Sequence, residues 1–168
     1  CLNQLRGMFT FALYNQNTKQ LFLARDPFGI KPLFVYQKNN QLAFASELKA
    51  LTSLIENKKI NFSAVAASLL YVWIPDSQCI FDDVIKFPAG NWAEIDASGK
   101  MQLHSYYDFN DLIALPKKEF SVDEFETLLL DSVEKHLIAD VPVSTFLSGG
   151  LDSSLLTAMA KSKTDKID

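Results

Sequence analysis

The feature that most constrains this 168-residue chain lies near its C-terminal end. Val141 to Leu147 is a short branched and apolar run, Ser148 to Gly150 is flexible, and Ser153 to Lys161 patterns as an amphipathic helix. Strand, loop and helix in that order predict a parallel crossover, which needs neighbouring strands to bury it. The same order suits anion binding. The first backbone N–H groups of a helix lack intrahelical partners, and the macrodipole places partial positive charge beside them. Gly149 and Gly150 permit close backbone approach, while Ser148, Ser153 and Ser154 add hydroxyl donors. Asp152 is the exception. A carboxylate beside phosphate is repelled unless a cation lies between them, so it implies either a magnesium ion or an Asp that holds the loop by accepting backbone N–H bonds.

Ser154 is followed by Leu155 rather than by the lysine of a GxxxxGK[ST] loop, which disfavours transfer of a terminal phosphate. The bland alternative is a Ser/Gly-rich turn that only caps a helix.

Upstream, short aromatic-rich and branched runs at Gly7 to Tyr14, Lys19 to Arg25, Pro32 to Tyr36 and Gln41 to Ala45 predict consecutive strands of an antiparallel meander. Asn15 to Thr18 and Gln37 to Asn40 are the expected hairpin connections, since Asn tolerates the left-handed backbone of tight turns. A helical turn is expected over Ser46 to Leu51, and a helix capped by Asn61 or Ser63 through Tyr71, ending before Pro75. Strand patterning returns from Phe87 to Tyr107. Asp108 to Glu119 mixes acidic residues, Pro116 and two lysines, a linker composition. Ser121 to Glu124 then reads as a capping box, and Phe125, Leu128, Leu129, Val133 and Leu137 recur at helical spacing, predicting a helix that buries that face and ends near Asp140.

Composition excludes some functions. The formal charge is −4 with no long basic run, which gives no reason to expect nucleic acid or an anionic membrane surface as partner. The longest apolar stretch, Ala64 to Ile74, is too short to cross a bilayer, which takes about 20 residues. Cys1 and Cys79 show neither CxxC pairing nor metal-ligand spacing, so a reducing cytoplasm fits better than a disulfide framework. His104 and His136 lack partners at ligand spacing and read as solvated or core histidines, and Trp73 and Trp92 as core or interface.

Ser148-Gly149-Gly150-Leu151-Asp152-Ser153 resembles the signature of the ATP-pyrophosphatases, which cleave ATP between its α- and β-phosphates and leave an adenylated substrate. Upstream, Arg6-Gly7-Met8-Phe9, Arg25-Asp26-Pro27-Phe28-Gly29-Ile30-Lys31-Pro32-Leu33 and Ala45-Ser46-Glu47-Leu48-Lys49-Ala50-Leu51 resemble the later part of class II glutamine amidotransferase domains. With Phe87-Pro88-Ala89-Gly90 and Asp140-Val141-Pro142, the chain resembles the glutamine-hydrolysing asparagine synthetase family over nearly its whole length.

That resemblance implies an α+β then α/β organisation. Residues 1–107 would be the C-terminal part of an antiparallel-sheet glutaminase of the Ntn-type αββα kind, 108–120 a linker, and 121–168 the start of a parallel ATP-pyrophosphatase domain. It implies ATP and pyrophosphate binding by Leu147, Ser148, Gly149, Gly150, Leu151, Asp152, Ser153 and Ser154, with magnesium near Asp152. Glutamine, aspartate or another carboxylate, and ATP would be the small-molecule partners, and a homodimer is compatible with the reading. Arg25 and Asp26 read first as a turn with a local ion pair. Lys31 and Glu47 read as surface charges or as a fixed pair supporting the glutaminase core.

Cys1 resembles the family's N-terminal nucleophile, whose α-amine could act as base. The Arg-Gly-Pro-Asp and Asn-Gly-Glu segments that bind glutamine and build the oxyanion hole are absent, and Cys1 to Gly7 matches the helix end before the Arg-Gly-Met-Phe strand. Cys1 is therefore not expected to be the nucleophile, since a thiolate without an oxyanion hole stabilises little of the transition state. The expectation is a piece spanning the junction of two domains and inactive alone, from an enzyme that converts aspartate, glutamine and ATP to asparagine, glutamate, AMP and pyrophosphate. The alternatives are a family amidotransferase acting on another carboxylate, such as a sugar acid, and a non-catalytic remnant that binds nucleotide or a partner. A glutamine-dependent phosphoribosyl or hexosamine transferase would not need Ser148 to Ser154.

Overall fold

The computed structural model describes residues 1–39, 41–75, 78–164 and Ile167. They form two compact units, Cys1–Leu115 and Pro116–Asp168.

The first unit is α+β and holds two antiparallel sheets. Strands β1 (Thr10–Asn15), β2 (Gln20–Arg25), β6 (Asn91–Ile95) and β7 (Met101–Ser105) form one, in the order β1-β2-β6-β7, and β3 (Phe34–Lys38), β4 (Gln41–Ala45) and β5 (Val84–Lys86) form the other, in the order β4-β3-β5. The two expected hairpins exist, β1 with β2 and β3 with β4. The expected continuous meander does not. β2 pairs with β6 rather than β3, because the chain turns sharply after Arg25 and enters the second sheet at Phe34.

Turn chemistry also differs in detail. In the first hairpin Asn15 works through its side chain, whose Oδ1 accepts from the N–H groups of Asn17 and Thr18 at 3.0 and 3.2 Å, while Lys19 takes the left-handed backbone at φ 57°. In the second, Asn39 adopts φ 49° as the Asn rule anticipates, and Asn40 lies outside the described residues.

Alternation along the strands distributes the core. Leu23, Ala93 and Ile95 of the first sheet pack with Leu33, Val35 and Phe87. Tyr36, next to Val35, points to the opposite face of the second sheet, where it meets Leu51, Ile55, Cys79 and Val84. Helix α1 (Leu48–Leu51) thus covers that outer face. The outer face of the first sheet carries a row of rings: Phe9 to Phe11, Phe11 to Phe22, Phe22 to Trp92, and Trp92 to His104, with centroids 5.6, 6.0, 5.2 and 4.3 Å apart. Helix α2 (Phe62–Tyr71) starts as expected, Asn61 Oδ1 accepting from Ala64 N–H at 3.1 Å, and stops at Val72 with φ 63°. Trp73 is half exposed, with Lys86 Nζ 5.5 Å from its ring centroid, so it is not a core residue.

A short helix, α3 (Phe109–Ile113), capped by Asp108, lies inside the stretch with linker composition. In the second unit α4 (Val122–His136) begins on Ser121, whose hydroxyl accepts from Glu124 N–H at 3.3 Å. The Glu124 carboxylate takes the Lys118 ammonium at 2.7 Å, so it is engaged outside the box. α4 ends at His136 rather than near Asp140, because Leu137 closes the last turn by donating to Glu134 O. Its expected apolar face is only partly covered. Val133 is buried near Ala160 of α5 (Leu151–Lys163), whereas Phe125 and Leu128 are exposed, since a single neighbouring helix covers only part of the stripe.

The strand expected at Val141 to Leu147 is absent: Val143 makes one isolated parallel bridge, to Ile167. A run of strand-forming residues becomes a strand only where a neighbour offers a ladder, and among the described residues Ile167 alone does so.

Candidate functional site

Two constellations carry the polar chemistry, and they differ in kind. The first is buried in the turn that follows β2, where Arg25 and Asp26 are 2% and 1% exposed. The Arg25 guanidinium donates to three main-chain carbonyls, those of Lys31, Phe87 and Gly29. The Asp26 carboxylate accepts three main-chain N–H groups, from Phe28 at 3.1 Å, Ile30 at 3.0 Å and Lys31 at 2.9 Å. Both charges are thus satisfied by oriented peptide dipoles, which is what makes their burial tolerable.

The two expected supporting charges behave otherwise. Lys31 contributes its main chain, while its side chain and that of Glu47 are exposed. Glu47 sits at the N-cap of α1 without a side-chain cap bond.

Two residues overlooked in the sequence complete the turn. Gly90 N–H donates to Asp26 O at 2.9 Å, and its carbonyl accepts from the N–H groups of Tyr106 and Tyr107. Tyr106 donates its hydroxyl to Arg25 O at 2.8 Å, and burial, with the Asp26 charge second, pushes that hydroxyl up to about 12. The sequence flags Gly90 only within the Phe87-Pro88-Ala89-Gly90 resemblance, which assigns it no role, and nothing in the sequence flags Tyr106.

The second constellation is the loop before α5. Gly149 takes φ 81°, and Gly150 is the N-cap, with no side chain to satisfy the first turn. Ser154 N–H bonds to Gly150 O at 3.1 Å, which leaves the N–H groups of Leu151, Asp152 and Ser153 as the unpaired start of the helix. Ser148 Oγ and Ser153 Oγ lie 2.9 Å apart, and Ser153 Oγ also donates to Gly150 O at 3.1 Å. The hydroxyls therefore brace the loop. Among the described residues the exposed Asp152 carboxylate accepts no hydrogen bond, so it is free to face a cation. One carboxylate beside phosphate oxygens is an ordinary magnesium donor set. The flanking Leu147 and Leu151 are exposed, and Phe146 is 99% exposed.

Cys1 is exposed and precedes a 3-10 turn over Leu2–Gln4, while Cys79 is buried in the core. His104 stacks on Trp92, and His136 Nδ1 lies 2.8 Å from Ser132 O in its own helix. No helix among the described residues is long and apolar enough to cross a membrane.

The family model described as "Glutamine amidotransferase domain" matches residues 1–107, which contain both sheets and the whole Arg25–Asp26 turn. The chain belongs to that family. A second model, described as "Asparagine synthase", matches residues 124–168 of this glutamine amidotransferase chain and includes the Ser148 loop. Among individual proteins it is similar to "Asparagine synthetase [glutamine-hydrolyzing] 1" of Bacillus subtilis, 36% identical over 95% of this chain and 25% of the relative. It is also similar to "Asparagine synthetase B [glutamine-hydrolyzing]" of Escherichia coli, 33% identical over 95% of this chain and 24% of the relative. A third, "Amidase chry2" of Gibberella zeae, is 34% identical over 94% of this chain and 24% of the relative. The chain thus spans about a quarter of the length of the curated relatives it matches.

Proposed function

We propose that this chain is the junction of an ATP-dependent, glutamine-hydrolysing amide ligase whose product is asparagine. One observation carries the reading: a glutamine amidotransferase unit is followed in the same chain by the Ser148–Ser154 loop, which opens α5 with unpaired N–H groups. The organisation is a glutaminase part over 1–107, a linker over 108–120 and the start of a parallel ATP-pyrophosphatase domain over 121–168. The parallel bridge of Val143 to Ile167, on either side of α5, supports a crossover there.

A carboxylate oxygen is a poor leaving group, so the aspartate carboxylate attacks the α-phosphorus of ATP, the bond to the β-phosphate breaks, and pyrophosphate departs. Ammonia from glutamine then attacks the acyl carbon, AMP leaves, and a proton is lost. The N–H groups of Leu151, Asp152 and Ser153, with the hydroxyls of Ser148, Ser153 and Ser154, hold phosphate oxygens. Gly149 and Gly150 let the main chain approach, Leu147 leads into the loop, and Asp152 would hold magnesium, which shields the phosphate charge. Arg25 and Asp26, with the main chain of Lys31, support the glutaminase sheets, Glu47 is a surface charge, and Cys1 is not the nucleophile. In this reading the enzyme is cytoplasmic and acts on glutamine, aspartate and ATP, and a homodimer is compatible with it.

The test is release of pyrophosphate from ATP by the whole protein, with and without aspartate and glutamine, beside Asp152→Ala and the 168-residue chain alone. Release that requires aspartate and is lost in the variant is expected. The 168-residue chain is expected to be inactive, its exposed loop leaving water to compete for the phosphates. A second reading, a carboxylate acceptor other than aspartate, draws on the similarity to the protein named amidase, and an intact enzyme idle with aspartate would favour it.

A further inference from the structure

Helix α2 is turned the wrong way round for a helix that only covers a core. At about 100° per residue, Phe62, Ser63, Ala66, Leu69 and Leu70 fall within about 60° of one line along the helix, centred on Ala66, and all five are exposed. Small residues make the opposite side. Ala64 is 0% exposed there, and Ser68 turns its hydroxyl back onto Val65 O at 2.8 Å. Phe62, Leu69 and Leu70 are 79%, 80% and 73% exposed, so the bulky apolar groups face out and the small ones face in. From Asn61 to Pro75 the sequence contains no charged residue. The apolar surface continues past the helix end. Val72, 91% exposed, takes φ 63°, a backbone that strains a β-branched residue and that glycine commonly fills at a helix end. Apolar surface is thus kept where local strain favours glycine.

We infer that this face of α2 is the contact through which two copies of the protein pair, their helices antiparallel about a two-fold axis at Ala66. A two-fold contact needs only a patch that complements itself, and this one does. Antiparallel pairing about Ala66 sets Phe62 of one copy against Leu70 of the other and Ala66 against Ala66. Large apolar groups therefore meet each other, while the small residue at the crossing lets the helices approach at the short end of the usual separation of about 8–10 Å. The stripe carries no charge, so pairing buries none, and a polar partner would find a single hydroxyl, that of Ser63, to recognise. Area points the same way. Phe62, Leu69, Leu70, Val72 and Trp73 together leave on the order of 700 Å² outward, within the roughly 600–1,000 Å² that each side of a specific interface contributes. The inference goes beyond the ligase reading and holds whichever carboxylate is amidated.

Sedimentation velocity of the whole protein over a concentration series, wild type beside Leu70→Lys, tests it. Wild type should sediment as a dimer. Symmetry brings the lysine into the contact twice, opposite Phe62 each time, so the dimer dissociation constant should rise about 100-fold or more. Leu70 is exposed on its own unit, so the variant should keep its native circular dichroism. A wild-type protein that stays monomeric overturns the inference, because another segment or another protein then covers the face. A variant that dimerises as tightly as wild type overturns it too, because the dimer then uses another surface. If Leu70→Lys does not fold, Ala66→Cys decides. At the two-fold axis the two Cβ atoms of residue 66 would come within disulfide reach, about 3.5–4.5 Å. With the exposed Cys1 replaced by serine in both proteins, mild oxidation should link most Ala66→Cys chains into a covalent dimer and leave the parent unlinked. No covalent dimer overturns the inference.

Discussion

Arg25, at the end of β2 in one sheet, donates from its guanidinium to the carbonyl of Phe87, which follows β5 in the other, a link across 62 positions of sequence. Arg25 is thus the strap between the two sheets. Its guanidinium spreads donors in a fixed plane, and a lysine ammonium cannot serve the same carbonyls from one geometry. Arg25→Lys should cost about 2–4 kcal/mol and Arg25→Met about 3–5 kcal/mol, because buried carbonyls lose their donors. Urea unfolding measures both, and a Met variant as stable as wild type would show that the strap is dispensable.

Asp26→Asn tests the other half of the turn. The amide oxygen can still accept from one side, but its NH2 group faces a backbone N–H, either that of Lys31 or those of Phe28 and Ile30. A loss of about 1.5–3 kcal/mol is expected, read as a lowered thermal midpoint.

Gly90 and Gly99 make a matched pair, both at positive φ, 65° and 82°. A methyl group on Gly99 meets nothing within 4 Å, whereas on Gly90 it meets Tyr107 O at 2.4 Å. Gly99→Ala should cost about 1 kcal/mol, the strain of the left-handed backbone alone, and Gly90→Ala more than about 3 kcal/mol. Equal costs would mean that the Tyr107 segment moves aside freely.

The Tyr106 hydroxyl has a raised value of about 12 against an ordinary 10.0. The unfolded chain therefore loses this proton first. Its contribution to stability is complete below pH 10, falls as pH rises from there, and is gone above about 12. Alkaline unfolding followed by circular dichroism should steepen in that window, and Tyr106→Phe should remove the steepening.

At the Ser148 loop, Ser153→Ala removes both the 2.9 Å contact with Ser148 and the bond to Gly150 O. The loop is exposed, so stability should change by no more than about 1 kcal/mol. The affinity of the whole protein for ATP should fall about 10-fold, the scale of a bond to a charged phosphate. Equilibrium binding of ATP, with thermal unfolding as control, separates the two.

Much of this molecule follows from local chemistry. Hairpins at Asn15 and Asn39, the Asn61 and Ser121 caps, and the helix opening after Gly150 depend on residues within four positions of one another, so the sequence alone determined them. The Ser148–Ser154 segment is legible for the same reason, since its groups are contiguous. Tertiary structure decided what depends on distant partners. β2 pairs with β6 instead of β3, Val141 to Leu147 gains one bridge and no strand, and Phe125 and Leu128 stay exposed on an amphipathic helix, each because of which neighbour is available. Tyr106 is the clearest case: its bond to Arg25 spans 81 positions, and no local propensity encodes a contact at that separation. Sequence determines which groups can bond; the fold decides which ones meet.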